Sequence, residues 1–346
     1  MNKTFYTTCL LVAGLIVAGP ATAQHQALYQ ITGQSNNNRY TVPNSKYTVP
    51  LTSPLHVLLP VPMNELASQK MFKKAVDHAG YLAEVATKRA ALEEAAKHWH
   101  LSPVSFVTMA EYEALKYDKQ ASHLVIEIGT KEIVQENYDG RRHTQVTFNV
   151  PSLNLSLLGN TGIISSGALL EKHEPVNSVL LCYQMYYPFS RQFWQEIYPS
   201  TEPIAGVQQL QSYIKQRAKG QSHWEVKNST KENLGKSETL LQGKTLLLAQ
   251  HQLSKSLTES KLAKVYPYPV KVADKATFDS AITNANSKYL YVRYVTIDSE
   301  NGYQLLDAGS GEVIGYSGFH ATHTYDIGYV QDDDLKQLVK TATKKN

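Results

Sequence analysis

Residues 269–294 read PVKVADKATFDSAITNANSKYLYVRY, and this stretch decides the fold. Residues 103–128 read PVSFVTMAEYEALKYDKQASHLVIEI and align with it without a gap at an offset of 166. Pro103 meets Pro269, Val104 meets Val270, Ala110 meets Ala276 and Leu124 meets Leu290. Tyr112 falls on Phe278, and Glu113 on Asp279. The shared pattern carries more weight than the identities. Each copy runs short apolar strand, polar entry, helix, loop of Lys, Asn and Ser, then a second strand. The expectation is an α/β (α+β-like) fold of two related modules, each with helices packed on a mixed β-sheet.

Working outward, the organisation expected is a signal peptide over 1–23, an extended or disordered arm over 24–54, and a first module over 55–160. A linker over 161–177, a second module over 178–330 and a C-terminal helix over 331–346 follow. The 346 residues suffice for two ordinary cores, and 42% hydrophobic with 18% charged content suits a globular chain. The net charge of +4 is spread along the chain, with Lys enriched only in the last turn. The basic stripe of a nucleic-acid binder is missing, so no nucleic-acid partner is expected.

The first 23 residues have the layout of a secretory signal: basic Lys3, an apolar run over 10–18, helix-breaking Gly19 and Pro20, then Ala21-Thr22-Ala23. The run is shorter than the roughly 20 residues that span a bilayer. Cys9 opens the apolar run and does not fit a lipoprotein cysteine. A secreted or periplasmic protein, cleaved near Ala23 and without a transmembrane segment, is expected. Its one remaining cysteine, Cys182, precludes an internal disulfide, so stability must come from cores.

Between the signal and the first module, RYTVP (39–43) recurs as KYTVP (46–50). Its prolines favour extended backbone over helix. HVLLPV (56–61) reads as a buried strand, followed by a helix over 65–98 with a break marked by Gly80. Asp139-Gly140 signals a hairpin, and Leu153, Leu155 and Leu157 alternate like a half-buried strand. VLLCYQ (179–184) reads as the opening strand of the second module. An aromatic-rich segment over 186–198 and a helix over 206–217 come next. A strand over 245–249 and a helix over 256–265 precede the decisive stretch, where Asp274 is placed to cap a helix. Glu300-Asn301-Gly302 reads as a hairpin turn.

Chemistry is harder to find. Gly243-Lys244-Thr245 lacks the upstream glycine and following helix of a phosphate loop. Gly309-Ser310-Gly311 is better explained as a turn than as a dinucleotide loop, since no helix N-terminus follows it. His98 with His100, and His320 with His323, are the candidate metal or catalytic histidines. Zinc needs three or four converging ligands, and neither pair supplies them locally. Cys182 is a candidate nucleophile, read more simply as a small buried hydrophobe. Tyr187, Trp194 and Trp224 are candidate glycan-binding aromatics, with core packing the plainer reading. No metal and no cofactor is expected.

The run YQLLDAGSGEVI (303–314) resembles the closing hairpin of the small α/β domain at the amino end of the Tol-system propeller protein and in the curli-export lipoprotein. In that domain a strand ending in Asp, a small-residue turn and Gly-Glu precede the last strand. The likeness covers about the last hundred residues, while residues 152–159 lack the Asp and the Gly-Glu. The chain as a whole resembles uncharacterised secreted proteins of Gram-negative bacteria. The resemblance implies a non-catalytic envelope role in assembly or scaffolding, with an envelope protein or glycan as partner. The competing expectations are an envelope hydrolase with a site between the modules, and a glycan-binding protein.

Overall fold

The computed structural model describes residues 31–32, 48–62, 75–138, 143–159, 178–184, 201–222, 225–226, 237–297, 300–317 and 329–343. A short strand β1 (Ile31–Thr32) and a helical turn α1 (Val49–Thr52) come first. The first copy then runs β2 (Leu55–Leu58), α2 (Ala75–Ala96), β3 (Val104–Val107), α3 (Met109–Lys116), β4 (Ser122–Tyr138), β5 (His143–Gly159), β6 (Ser178–Gln184) and α4 (Thr201–Ala218). The second copy opens with the short helix α5 (Glu238–Gly243). It continues β7 (Thr245–Ala249), α6 (Glu259–Val265), β8 (Val270–Ala273), α7 (Lys275–Thr283), β9 (Tyr289–Ile297), β10 (Glu300–Asp307), β11 (Val313–Tyr316) and α8 (Asp332–Thr343).

The plan is the same element for element. The first sheet has the order β1-β6-β5-β4-β2-β3 and the second β11-β10-β9-β7-β8, so β1 is the one addition. In each sheet the first strand of the copy is parallel to both neighbours, and the long hairpin is antiparallel. Register agrees to the residue. Leu55 pairs with Val104 and Leu124, and Leu246 with Val270 and Leu290. The Leu55 amide donates to the Pro103 carbonyl at 2.8 Å, and the Leu246 amide to the Pro269 carbonyl at 2.8 Å. Both crossover helices are capped at the aligned position. Thr108 accepts from the Glu111 amide at 3.3 Å, and Asp274 from the Thr277 amide at 2.7 Å.

Several expectations need correcting. Residues 179–184 do not open the second module: β6 pairs with β5 in the first sheet, in the place β11 takes in the second. A continuous apolar strand cannot announce which sheet it joins. The second plan therefore begins after α4, and α8 is its counterpart rather than a separate terminal helix. The helix at Gly80 is unbroken, since an exposed helical glycine costs only about 1 kcal/mol. Asn301 and Gly302 lie inside β10, paired with Thr296 and Val295. The second TVP stands in a helical turn rather than extended backbone, with Pro50 buried in its first turn, where proline lacks no needed donor.

The copies stack front to back. One face of the first sheet, carrying Leu55, Val57, Leu124, Ile126, Leu153 and Leu155, packs into a core with α2 and α4. The same core takes Leu247, Ala249, Tyr291, Leu306 and Ala308 from the opposite face of the second sheet, with Phe278 and Ile282 of α7. Helix α4 is the shared layer, packed against both α2 and α7 and buried on nearly every side. A second core lies beneath α6 and α8, on the far face of the second sheet. Among the described residues, one sheet face is left outside both cores. It is the crossover side of the first sheet, covered by α3.

The quoted turn motif closes the second plan. Asp307 Oδ1 accepts from the amides of Gly309 and Ser310 at 2.8 and 3.0 Å, and its other oxygen pairs with Lys244. Gly311, at φ +70°, completes the turn. The first copy holds Leu157 at this register, fully buried.

Candidate functional site: the outer face of the first sheet

The two crossover faces hold different residues at matching positions. In the second copy Leu247, Tyr291, Leu306 and Ala308 are core. Their first-copy counterparts by register are His56, Val125, Ser156 and Leu158. Leu58, Val125 and Leu158 form a small apolar cluster under Tyr112 and Leu115 of α3. The rest of the face is polar. Helix α3 buries no residue, whereas its counterpart α7 buries Phe278, Ala281 and Ile282.

Three adjacent strands bring the polar groups together. His56 lies on β2, with Ser105 directly across on β3 and His123 on β4. His56 Nδ1 and Ser105 Oγ share a hydrogen bond of 2.8 Å. His123 Nε2 donates to Asp118 Oδ2 at 2.7 Å. The two imidazoles meet edge to face at 5.8 Å between centroids. Burial, then His123, holds His56 below the usual imidazole range, while Glu111 on α3 pulls the other way. The bond from His123 and the loop amides holds Asp118 below the usual carboxylate range. Glu111 is lowered by the Thr108 backbone and side chain, with which it closes a capping box.

Glu127 sits further along β4, opposite Asn154, and burial pushes its carboxyl up. It makes no hydrogen bond or ion pair among the described residues. Asn154 Oδ1 accepts from Ser152 Oγ at 2.9 Å. At the two ends of α3, Met109 is 47% and Tyr117 59% exposed, while the exposed Phe106 of edge strand β3 is in register with Val57 and belongs to the other face of the sheet.

Of the residues singled out in the sequence, His98 and His100 lie elsewhere, and Cys182 falls in backbone register with Asn154 of this face. His98 lies at the end of α2, buried against the second copy. Its carbonyl accepts from Gln211 Nε2 at 2.7 Å, and burial lowers its imidazole. His100 is exposed, its amide donating to Gln211 Oε1 at 2.6 Å. These two bracket the α2–α4 contact. Cys182 lies on β6, in backbone register with Thr32 and Asn154. His320, His323, Tyr187, Trp194 and Trp224 lie outside the described residues. Among the described residues no group of three or more His, Cys, Asp or Glu side chains is arranged to hold a metal ion, and no helix is long and apolar enough to cross a membrane.

The sequence hid His56, Ser105 and His123 because no linear motif joins them. A signal existed all the same. At the offset of 166, His123 falls on Tyr289 and Ser105 on Lys271, so the aligned repeat marks positions where the copies differ in chemistry. No protein-family model, no curated protein and no solved structure matches this chain.

Proposed function

We propose that this chain is a secreted or periplasmic, non-catalytic binding or scaffolding protein of the cell envelope, and that it binds through the outer face of its first sheet. The observation that carries the reading is the contrast between the copies. The same face of the same plan is sealed as core in one, while in the other polar groups surround a small apolar cluster. A face of this kind costs stability and suits recognition. The envelope location rests on the secretory layout of residues 1–23 and on the resemblance of residues 303–314.

Site-specific photo-crosslinking tests it. A photoreactive residue at position 105 should trap an envelope component in cells, while one at position 247, sealed on the matching face of the second sheet, should not. Equal products from both positions, or none from either, would overturn the reading. Recovery of the chain in the cytosol with residues 1–23 still attached would overturn the location.

The hydrolase alternative keeps one supporting observation, the Ser105–His56 hydrogen bond. Among the described residues no carboxylate is hydrogen-bonded to His56, and Asp118 orients His123 instead. Labelling by a fluorophosphonate that disappears in Ser105→Ala would establish that alternative.

A further inference from the structure

The junction inside the molecule shows what this kind of face accepts. In the second copy it is covered by α4, whose first turn carries Glu202. Glu202 and Arg293 form a two-point ion pair, with both residues buried. Strand register makes Glu127 the counterpart of Arg293, and Asn154 the counterpart of Gln304. The amide-bearing neighbour is retained and the charge is reversed. Glu127 has no ion-pair partner among the described residues.

Front-to-back stacking raises one other occupant, a second copy of this chain presenting α8. That helix occupies in the second copy the place α4 takes in the first. It begins Asp332-Asp333-Asp334, so it would bring acid to an acidic position. Like charge disfavours continued stacking and favours a cationic partner.

We propose that the outer face of the first sheet receives an amphipathic helix of another protein, whose Arg or Lys pairs with Glu127 as Glu202 of α4 pairs with Arg293. This rests on the binding reading above and names the chemistry of its partner. The cation would sit beside Asn154, and the apolar side of the helix would meet Met109 at the rim.

The test is a charge swap on the full chain. The probes are a labelled peptide of the α4 sequence, TEPIAGVQQLQSYIKQRA, and its Glu202→Arg version, titrated by fluorescence anisotropy. The arginine peptide should bind the wild-type chain about tenfold more tightly than the native peptide. The order should reverse on Glu127→Arg, and the preference should vanish on Glu127→Gln, which changes shape least. Affinities indifferent to residue 127, or no binding by either peptide, would overturn the proposal. So would self-association of the wild-type chain that is lost on Asp332→Asn with Asp333→Asn, since the occupant would then be a second copy. An envelope partner trapped at position 105 but indifferent to Glu127→Arg would overturn the cationic helix while leaving the binding reading standing.

Discussion

The crossover faces of the two sheets share strand order, register and a capped helix, yet one is packed into the shared core and the other lies outside both cores under α3 alone among the described residues. Leu247 is 1% exposed at the position where the first copy has a half-buried histidine. Arg293 is buried in an ion pair where the first copy has a carboxylate with none among the described residues. The difference teaches that burial here is set by α4, not by the plan itself. The sheet that receives α4 on its crossover face has a core there, and the other carries polar side chains around a small apolar cluster.

Breaking the α4 junction should have the largest effect. Glu202→Ala removes the carboxylate from a buried ion pair with Arg293 and should cost about 3–5 kcal/mol, read by denaturant unfolding. Exchanging the faces comes next. Leu247→His places an imidazole in the core and should cost about 3 kcal/mol, whereas the counterpart change His56→Leu should change stability by less than about 1 kcal/mol. Equal costs for the two would mean that the faces do not differ as described.

Acid should separate the faces further. Burial holds His56 and His98 below the ordinary imidazole value of 6.5. Below pH 6.5 the unfolded chain therefore binds more protons than the folded one. Stability should be full above that pH and decline as pH falls through the window beneath it. His56→Leu should flatten the decline, as followed by thermal unfolding across pH 5–8. Glu127 has the opposite sign, since its folded value is raised above 4.5. The charged form is disfavoured by folding, so Glu127→Gln should raise the melting temperature at pH 7. That gain should vanish as pH falls below 4.5. This is the smallest effect expected, and it would show that the site keeps its charge against stability.

Much of the fold was legible because local chemistry repeats. Pro103 and Pro269, Thr108 and Asp274, Leu124 and Leu290 do the same jobs at one offset. The offset fails at β2 and β5, where the connections differ in length, and the second plan is not visible there. The sheet that β6 joins is not visible either, because the order of strands depends on long-range pairing, which a five-residue apolar run does not encode. The site was less legible still. His56, Ser105 and His123 are far apart in the chain and meet only because β3, β2 and β4 lie side by side. Glu127 stands out only beside Arg293.

The most direct test of the contrast is thiol accessibility at one matched pair in a Cys182→Ala background. Asn154→Cys and Gln304→Cys occupy equivalent positions on the two faces. In the native chain, a maleimide should react readily at position 154 and at position 304 only after unfolding. Equal reaction at both positions under native conditions would contradict the account.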